Sequence, residues 1–247
     1  MQDKNKLELG GNMSKALAGD YNFDLQAVLK EAWSITQVTK WSLLQALLMV
    51  FSLVLLVVVI SFNLIQSQGM DILDPQVQFY LELLITLLTA PLLTGLLMMG
   101  INHSVGGVSR PAHLFHFVPR TLILVLATLM TSLLVNLGLM LLVIPGLYLM
   151  IACSFTLPLV AEKGLTPWRA IYTSVRAVSH KWPQFVILYL LFAMLFMLVI
   201  ATLGIALIWV GPLYYNVKGV LYRDIFGIAV RFKPDKGEKN AETVFYA

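Results

Sequence analysis

Three histidines and one carboxylate are the residues of this chain whose type and position could do chemistry. His113 and His116 stand three apart in "RPAHLFHF", on one face if that segment is helical, and His103 ends an apolar run that brings it near them. Zinc takes three or four ligands, and no cysteine or carboxylate accompanies these imidazoles, so interfacial histidines fit the pattern better than a metal site. Glu82 is a carboxylate inside the expected span 78–101, which makes it by default a functional candidate. By helical rise from Gln78 it lies only ~6 Å inside the end of that span, within reach of water. Thr89, Thr94, Thr131, Ser132 and Asn136 could line a polar path, but helix-to-helix hydrogen bonding accounts for them more simply. The chain has no phosphate loop, H-E-x-x-H, G-x-S-x-G or acidic metal cluster. No catalytic, cofactor-binding or metal-ligating residues are therefore expected, and the chain does not read as an enzyme.

The elements that would position such residues follow from composition. Of 247 residues 59% are hydrophobic and only 12% charged, against about 25% charged in soluble domains. Uncharged runs extend from Trp41 to Met70, Leu83 to Asn102, Thr121 to Ala161 and Trp182 to Val217. Each reaches the ~20 residues that a spanning helix needs. The class is an all-α integral membrane protein.

Two runs are too long for one crossing. Thr121 to Ala161 would extend roughly 61 Å as a helix, about twice a bilayer core. Pro145-Gly146 in "LLVIPGLYLMI" is the expected hairpin turn, since proline breaks the helical ladder and glycine permits positive φ. The run from Trp182 turns at Thr202-Leu203-Gly204, with Gly211-Pro212 as the rival. Six spans result, at 42–66, 78–101, 121–144, 147–162, 184–203 and 205–223. They form three hairpins within a membrane domain at 23–227, between an N-terminal segment 1–22 and a mobile tail 228–247. The fourth is short and contains Pro158, which invites a kink.

All 17 lysines and arginines fall on one side of this scheme, Lys218 and Arg223 at the end of the sixth span among them. Basic loops stay in the cytoplasm, which places both termini there and puts Asp71 and Asp74 outside. The N-terminus lacks the apolar core of a secretory signal. Cys153 is the only cysteine, so no intramolecular disulfide can form.

An amphipathic segment precedes each hairpin. In "FDLQAVLKEAWSITQVTKW", Asp24 is the natural N-cap and Leu25, Val28, Leu29, Ala32, Trp33 and Thr36 recur at helical spacing. In "TPWRAIYTSVRAVSHKW", Thr166 and Pro167 open a helix whose stripe is Ile171, Val175, Val178 and Trp182, with Arg169, Thr173, Arg176 and His180 on the other sides. "SRPAHLFHFVPR" is a shorter version. Such helices lie in the headgroup plane, aromatic face inward and basic face toward anionic lipid, or they cap the bundle. Trp33, Lys40, Trp41, Trp168, Arg169, Arg176, Lys181 and Trp182 are the candidate lipid- or partner-binding residues.

The order of amphipathic helix, hairpin, "RPAHLFHF", "LLVIPGLYLMI", "PLVAEKGLTPWRAIYTSVRAVSHKW" and terminal "LYRDIFG" resembles the YciC-like bacterial inner-membrane proteins, and the membrane domains beside some glycerophosphodiester phosphodiesterases. The resemblance covers roughly residues 20–227. It implies a multi-pass protein of the bacterial inner membrane and no hydrolase activity, because no catalytic domain is appended. The function expected is non-enzymatic: engagement of anionic membrane lipid, a membrane-protein partner or a second copy, with an envelope-homeostasis role and no nucleic acid. The alternative is a small transporter or permease subunit that uses the bundle interior.

Overall fold

The computed structural model describes residues 6–231, which are helical apart from two short strands. After β1 (Lys6–Leu9) and α1 (Met13–Ala18) comes α2, Leu25–Ser67, capped by Asp24, whose carboxylate accepts from the Gln26 and Ala27 amides at 3.0 and 3.3 Å. No glycine or proline interrupts α2, so the expected amphipathic helix and first span are one rod of 43 residues. At ~1.5 Å per residue it is about 65 Å long. The helix that carries Trp33 and Lys40 therefore continues into the first span without a break.

α3 (Pro75–Ser104) returns, capped by Asp74 with Pro75 in the first turn. The second amphipathic segment is a 3-10 stretch, Pro111–Arg120, that leads into α4 (Thr121–Leu141). α4 ends at Leu142, which is extended at φ −161° and ψ 150°, and α5 (Val143–Ala152) starts at once. The turn is thus three residues before the expected Pro145-Gly146. Pro145 sits in the first turn of α5, where a missing N–H is harmless. Gly146 lies in the helix against α4, and a Cβ there would run into the Leu139 side chain.

A turn at Cys153–Phe155 separates α5 from α6 (Thr156–Lys163), so the fourth apolar segment is broken within its length, just before Pro158. Then follow α7 (Pro167–His180), α8 (Trp182–Ala201) and α9 (Leu207–Phe226). The chain turns from α8 to α9 through Leu203 and Gly204, with φ of 51° and 92°. Gly211 and Pro212 lie inside α9. Among the described residues, five segments are long and apolar enough to cross a membrane: Leu25–Ser67, Pro75–Ser104, Pro111–Leu141, Val143–Lys163 and Trp182–Ala201. α9 is outside that set because it carries Lys218, Arg223 and Asp224.

The core is organised around α9, which packs along α2 and α3. Gly100 and Gly219 make that approach possible, since a Cβ on either would strike backbone of the opposite helix. α9 covers only part of its neighbours. Burial in α2 ends at Val50 except for Ile65, and in α3 it begins at Ala90. Residues 75–89, about 22 Å of helix, therefore form with the end of α2 an arm that stands clear of the body, with Phe51, Leu55, Val59, Phe79 and Leu84 on its surface. Around the other end, β2 (Ile228–Arg231) pairs antiparallel with β1, Leu9 opposite Ile228. The start of the expected mobile tail is thus held in a sheet with the N-terminal segment, and the rest of the tail lies outside the described residues.

Candidate functional site

Where the terminal segments meet the bundle, polar side chains form a continuous seam between α2, α3 and α9. Arg223 donates to both carboxylate oxygens of Glu31, to Asp224 at 2.8 Å and to the Ser104 carbonyl at 2.6 Å. One helical turn or two toward the arm, Asn216 donates to the Thr36 and Thr39 hydroxyls at 2.9 and 3.2 Å, and its Oδ1 lies 3.2 Å from His103 Nδ1. Asn216 and Thr36 are fully buried, so these bonds satisfy groups that water cannot reach. A parallel set links α6 to α9: Tyr222 donates to Glu162 at 2.8 Å, and Glu162 pairs with Lys163 at 3.2 Å. Apart from the seam, Tyr21 ties the N-terminal segment to residue Ala177 by donating to its carbonyl at 2.8 Å, and burial holds its hydroxyl well above the usual phenol range.

His103 is buried in the seam and His113 lies within electrostatic reach of it, as expected; His113 Nδ1 also accepts from the Arg110 amide at 3.3 Å, an ordinary turn contact. Among the described residues no three histidine, cysteine or acidic side chains converge as metal ligands. Glu82 is exposed on the outer half of α3, within the arm. Asp71 and Asp74 line a cleft of roughly 550 Å³ at the arm's tip, together with Ile65, Tyr80 and Leu84.

α7 is where sequence and structure differ most usefully. Its stripe is used inward: Ala170, Ile171, Ser174, Ala177 and Val178 are buried, Val175 is half-buried, and Thr173, expected on the polar side, is buried as well. Ser174 donates to the Ala152 carbonyl at 2.6 Å and accepts from the Phe155 amide at 3.2 Å, which braces the break between α5 and α6. The outward face carries Trp168, 64% exposed, with Arg169, Tyr172 and Arg176. These recur at helical spacing on one side, and Arg176 donates to the Tyr172 hydroxyl at 3.0 Å. Trp182 is exposed at the start of α8, edge-on to Tyr148, and Lys181 caps α7 half-buried beside it. On α2, Trp33 and Trp41 are also exposed, and the Lys40 ammonium lies over the rings of Trp41 and Trp209 at 5.9 and 5.7 Å.

Lys218 is the residue that sequence reasoning misplaced. Grouped with the basic residues at the end of the sixth span, it is buried in the middle of α9. Its ammonium donates to the Ser154 carbonyl at 3.2 Å and sits 5.4 to 5.5 Å from the ring centres of Phe155, Tyr189 and Tyr214. The available signal was its position amid "LYYNVKGVLY", where uncharged neighbours on every side argue for burial.

Compared with known proteins, the chain matches no family model, no curated protein and no solved structure.

Proposed function

We propose that the chain is a non-enzymatic multi-pass protein of the bacterial inner membrane, of the YciC-like kind. Its six spans form three hairpins, both termini are cytoplasmic, and it engages anionic lipid at the cytoplasmic interface. One observation carries the reading: the apolar stripe of α7 is taken up by the bundle, yet the helix still presents Trp168, Tyr172, Arg169 and Arg176 outward. Aromatic rings beside arginines are what a membrane interface retains, the rings at headgroup depth and each guanidinium or ammonium worth about 1 kcal/mol near an anionic leaflet. Trp182 and Lys181 extend this surface, and Trp33, Lys40 and Trp41 supply a second group on α2. α9 is the sixth span in this reading, its charges held within the protein and not in lipid.

The test is lipid composition around the intact protein. Extracted from cells in polymer-bounded native discs, the wild type is expected to be enriched in anionic over neutral phospholipid. The triple reversal Arg169→Glu, Arg176→Glu, Lys181→Glu should lose that enrichment while remaining folded. Equal enrichment in both would refute lipid engagement by α7 and favour a protein partner on this face.

A further inference from the structure

Between Lys40 and Arg110 the sequence holds three acids, Asp71, Asp74 and Glu82, and no lysine or arginine. From Lys40 to the end of α2 at Ser67 the rod extends about 40 Å. Negative charge at the arm's tip is therefore out of reach of the basic residues nearest in sequence, and the ion pairs among the described residues involve neither Asp71 nor Asp74. Both carboxylates are fixed in position. Asp71 Oδ1 accepts from the Leu73 amide at 2.9 Å and Asp74 Oδ1 from the Gln76 amide at 2.8 Å, so the turn uses one oxygen of each.

The two aspartates border the cleft of roughly 550 Å³ between α2 and α3, a size ordinary for sites that hold small molecules. Ile65 is its floor, 7% exposed and the single buried residue of α2 beyond Val50. From there Leu81 and Leu84 carry the apolar wall away from the tip along α3. Tyr80 adds an aromatic ring, and Ser61 and Gln76 add side-chain donors.

This set of groups is selective. Carboxylates accept the N–H bonds of an ammonium and an aromatic ring attracts its charge, so the polar end of the cleft suits an ammonium. The leucine wall suits hydrocarbon attached to it. Ser61 and Gln76 can donate to a phosphate next to that ammonium. In a bilayer the exposed apolar sides of the arm are surrounded by phospholipid, which is thus the amphiphile that reaches the cleft. Among phospholipid headgroups ethanolamine has three N–H donors beside a phosphate, choline has the charge without the donors, and glycerol has no cation.

We propose that the cleft at the arm's tip binds the headgroup of one ethanolamine phospholipid. Its ammonium donates to Asp71 and Asp74, its phosphate accepts from Ser61 and Gln76, and an acyl chain lies along Leu81 and Leu84. The site rests on the reading of α2 and α3 as membrane spans, and it does not depend on anionic lipid at α7.

The experiment titrates the full chain in non-ionic detergent with short-chain phosphatidylethanolamine, phosphatidylcholine, phosphatidylglycerol or decylamine, and reads occupancy by native mass spectrometry. The main variant combines Asp71→Asn with Asp74→Asn, which removes both charges and leaves a side-chain oxygen for each capped amide. The wild type should bind one phosphatidylethanolamine per chain, severalfold more tightly than phosphatidylcholine. The double variant should bind it at least tenfold more weakly, and Tyr80→Leu severalfold more weakly. In the Arg169→Glu, Arg176→Glu, Lys181→Glu background its affinity should be unchanged, with phosphatidylglycerol the weakest of the three lipids. Equal affinity of the double variant and the wild type, or no one-to-one binding, overturns the proposal. So does equal binding of the ethanolamine and choline lipids, and binding of decylamine as tight as that of phosphatidylethanolamine shows that phosphate is not read and overturns the phospholipid as occupant. If the double variant fails to fold, Tyr80→Leu decides, and unchanged affinity there overturns the site. Release of the chain from membranes by alkaline carbonate would overturn the spanning reading and the site with it, whereas a chain that stays in the membrane yet binds no ethanolamine lipid overturns the site alone.

Discussion

Arg223 near the end of α9 grips Glu31 of α2 through both arms of its guanidinium, Nη1 lying 2.6 Å from Oε1 and Nη2 3.0 Å from Oε2. The same guanidinium reaches the end of α3 through the Ser104 carbonyl, and the Arg223 carbonyl accepts from the Gly11 amide at 2.8 Å. One residue thus joins three long helices and the N-terminal strap. Arg223→Ala should destabilise the protein by about 2–3 kcal/mol, because Glu31, Asp224 and a carbonyl lose their donor together. Glu31→Ala should cost less, about 1 kcal/mol, since that carboxylate is 41% exposed and solvent screens the pair. Thermal melts in detergent check both values, and the double variant should fall short of their sum.

The crossing of α3 and α9 gives a steric prediction. A methyl on Gly100 would run into the Tyr215 carbonyl, and one on Gly219 into the Gly100 carbonyl, so in each case backbone would have to move. Gly100→Ala or Gly219→Ala should each cost toward the upper end of ~1–3 kcal/mol. A melting temperature equal to that of the wild type would mean that the two helices do not approach so closely.

How far the sequence could be read differs from element to element, for physical reasons. The apolar runs and the Asp24 cap are local signals, and both appear where expected. The α8–α9 turn at Leu203 and Gly204 was legible because glycine marks positive φ. The α4–α5 turn was misplaced by three residues because proline marks either a turn or the first turn of the helix after it. Lys40-Trp41 suggested a boundary by charge, but nothing there interrupts the backbone ladder, so α2 runs through. The seam of Asn216 with Thr36 and His103 joins residues more than a hundred positions apart, and periodicity within one helix cannot reveal its partner. The pairing of β1 with β2 was out of reach for the same reason. The outward face of α7 was half legible: residue types suggested an interface, but only packing shows that Ile171 and Val178 are used inward.

Glu82 was the intramembrane acid open to use by a transporter, and it lies exposed on the outer part of α3, within the arm. Glu82→Gln should leave expression, folding and the melting temperature within about 0.5 kcal/mol of wild type, as for other surface substitutions. Loss of folded protein at normal synthesis would show that the carboxylate has a partner in the membrane.

Topology can be tested through a single thiol, because Cys153 is the only cysteine and is buried. In a Cys153→Ala background, a cysteine at Asp71 or Asp74 should react with an impermeant thiol reagent added to intact cells, while one at Arg110 or Lys15 should react only after lysis. Reversed labelling would invert the orientation. Equal labelling at 71 and 110 would dismantle the first hairpin.

The most direct measurement places α7 against lipid in the whole protein. With Trp33, Trp41, Trp182 and Trp209 replaced by Phe, Trp168 is the one remaining reporter of the outward face. Reconstituted with phospholipids brominated in the acyl chains, its fluorescence should be quenched at least twofold more by phosphatidylglycerol than by phosphatidylcholine. The difference should shrink as salt rises to about 1 M, where the Debye length falls to ~3 Å. Equal quenching by the two headgroups, or none by either, would contradict the engagement of anionic lipid by α7.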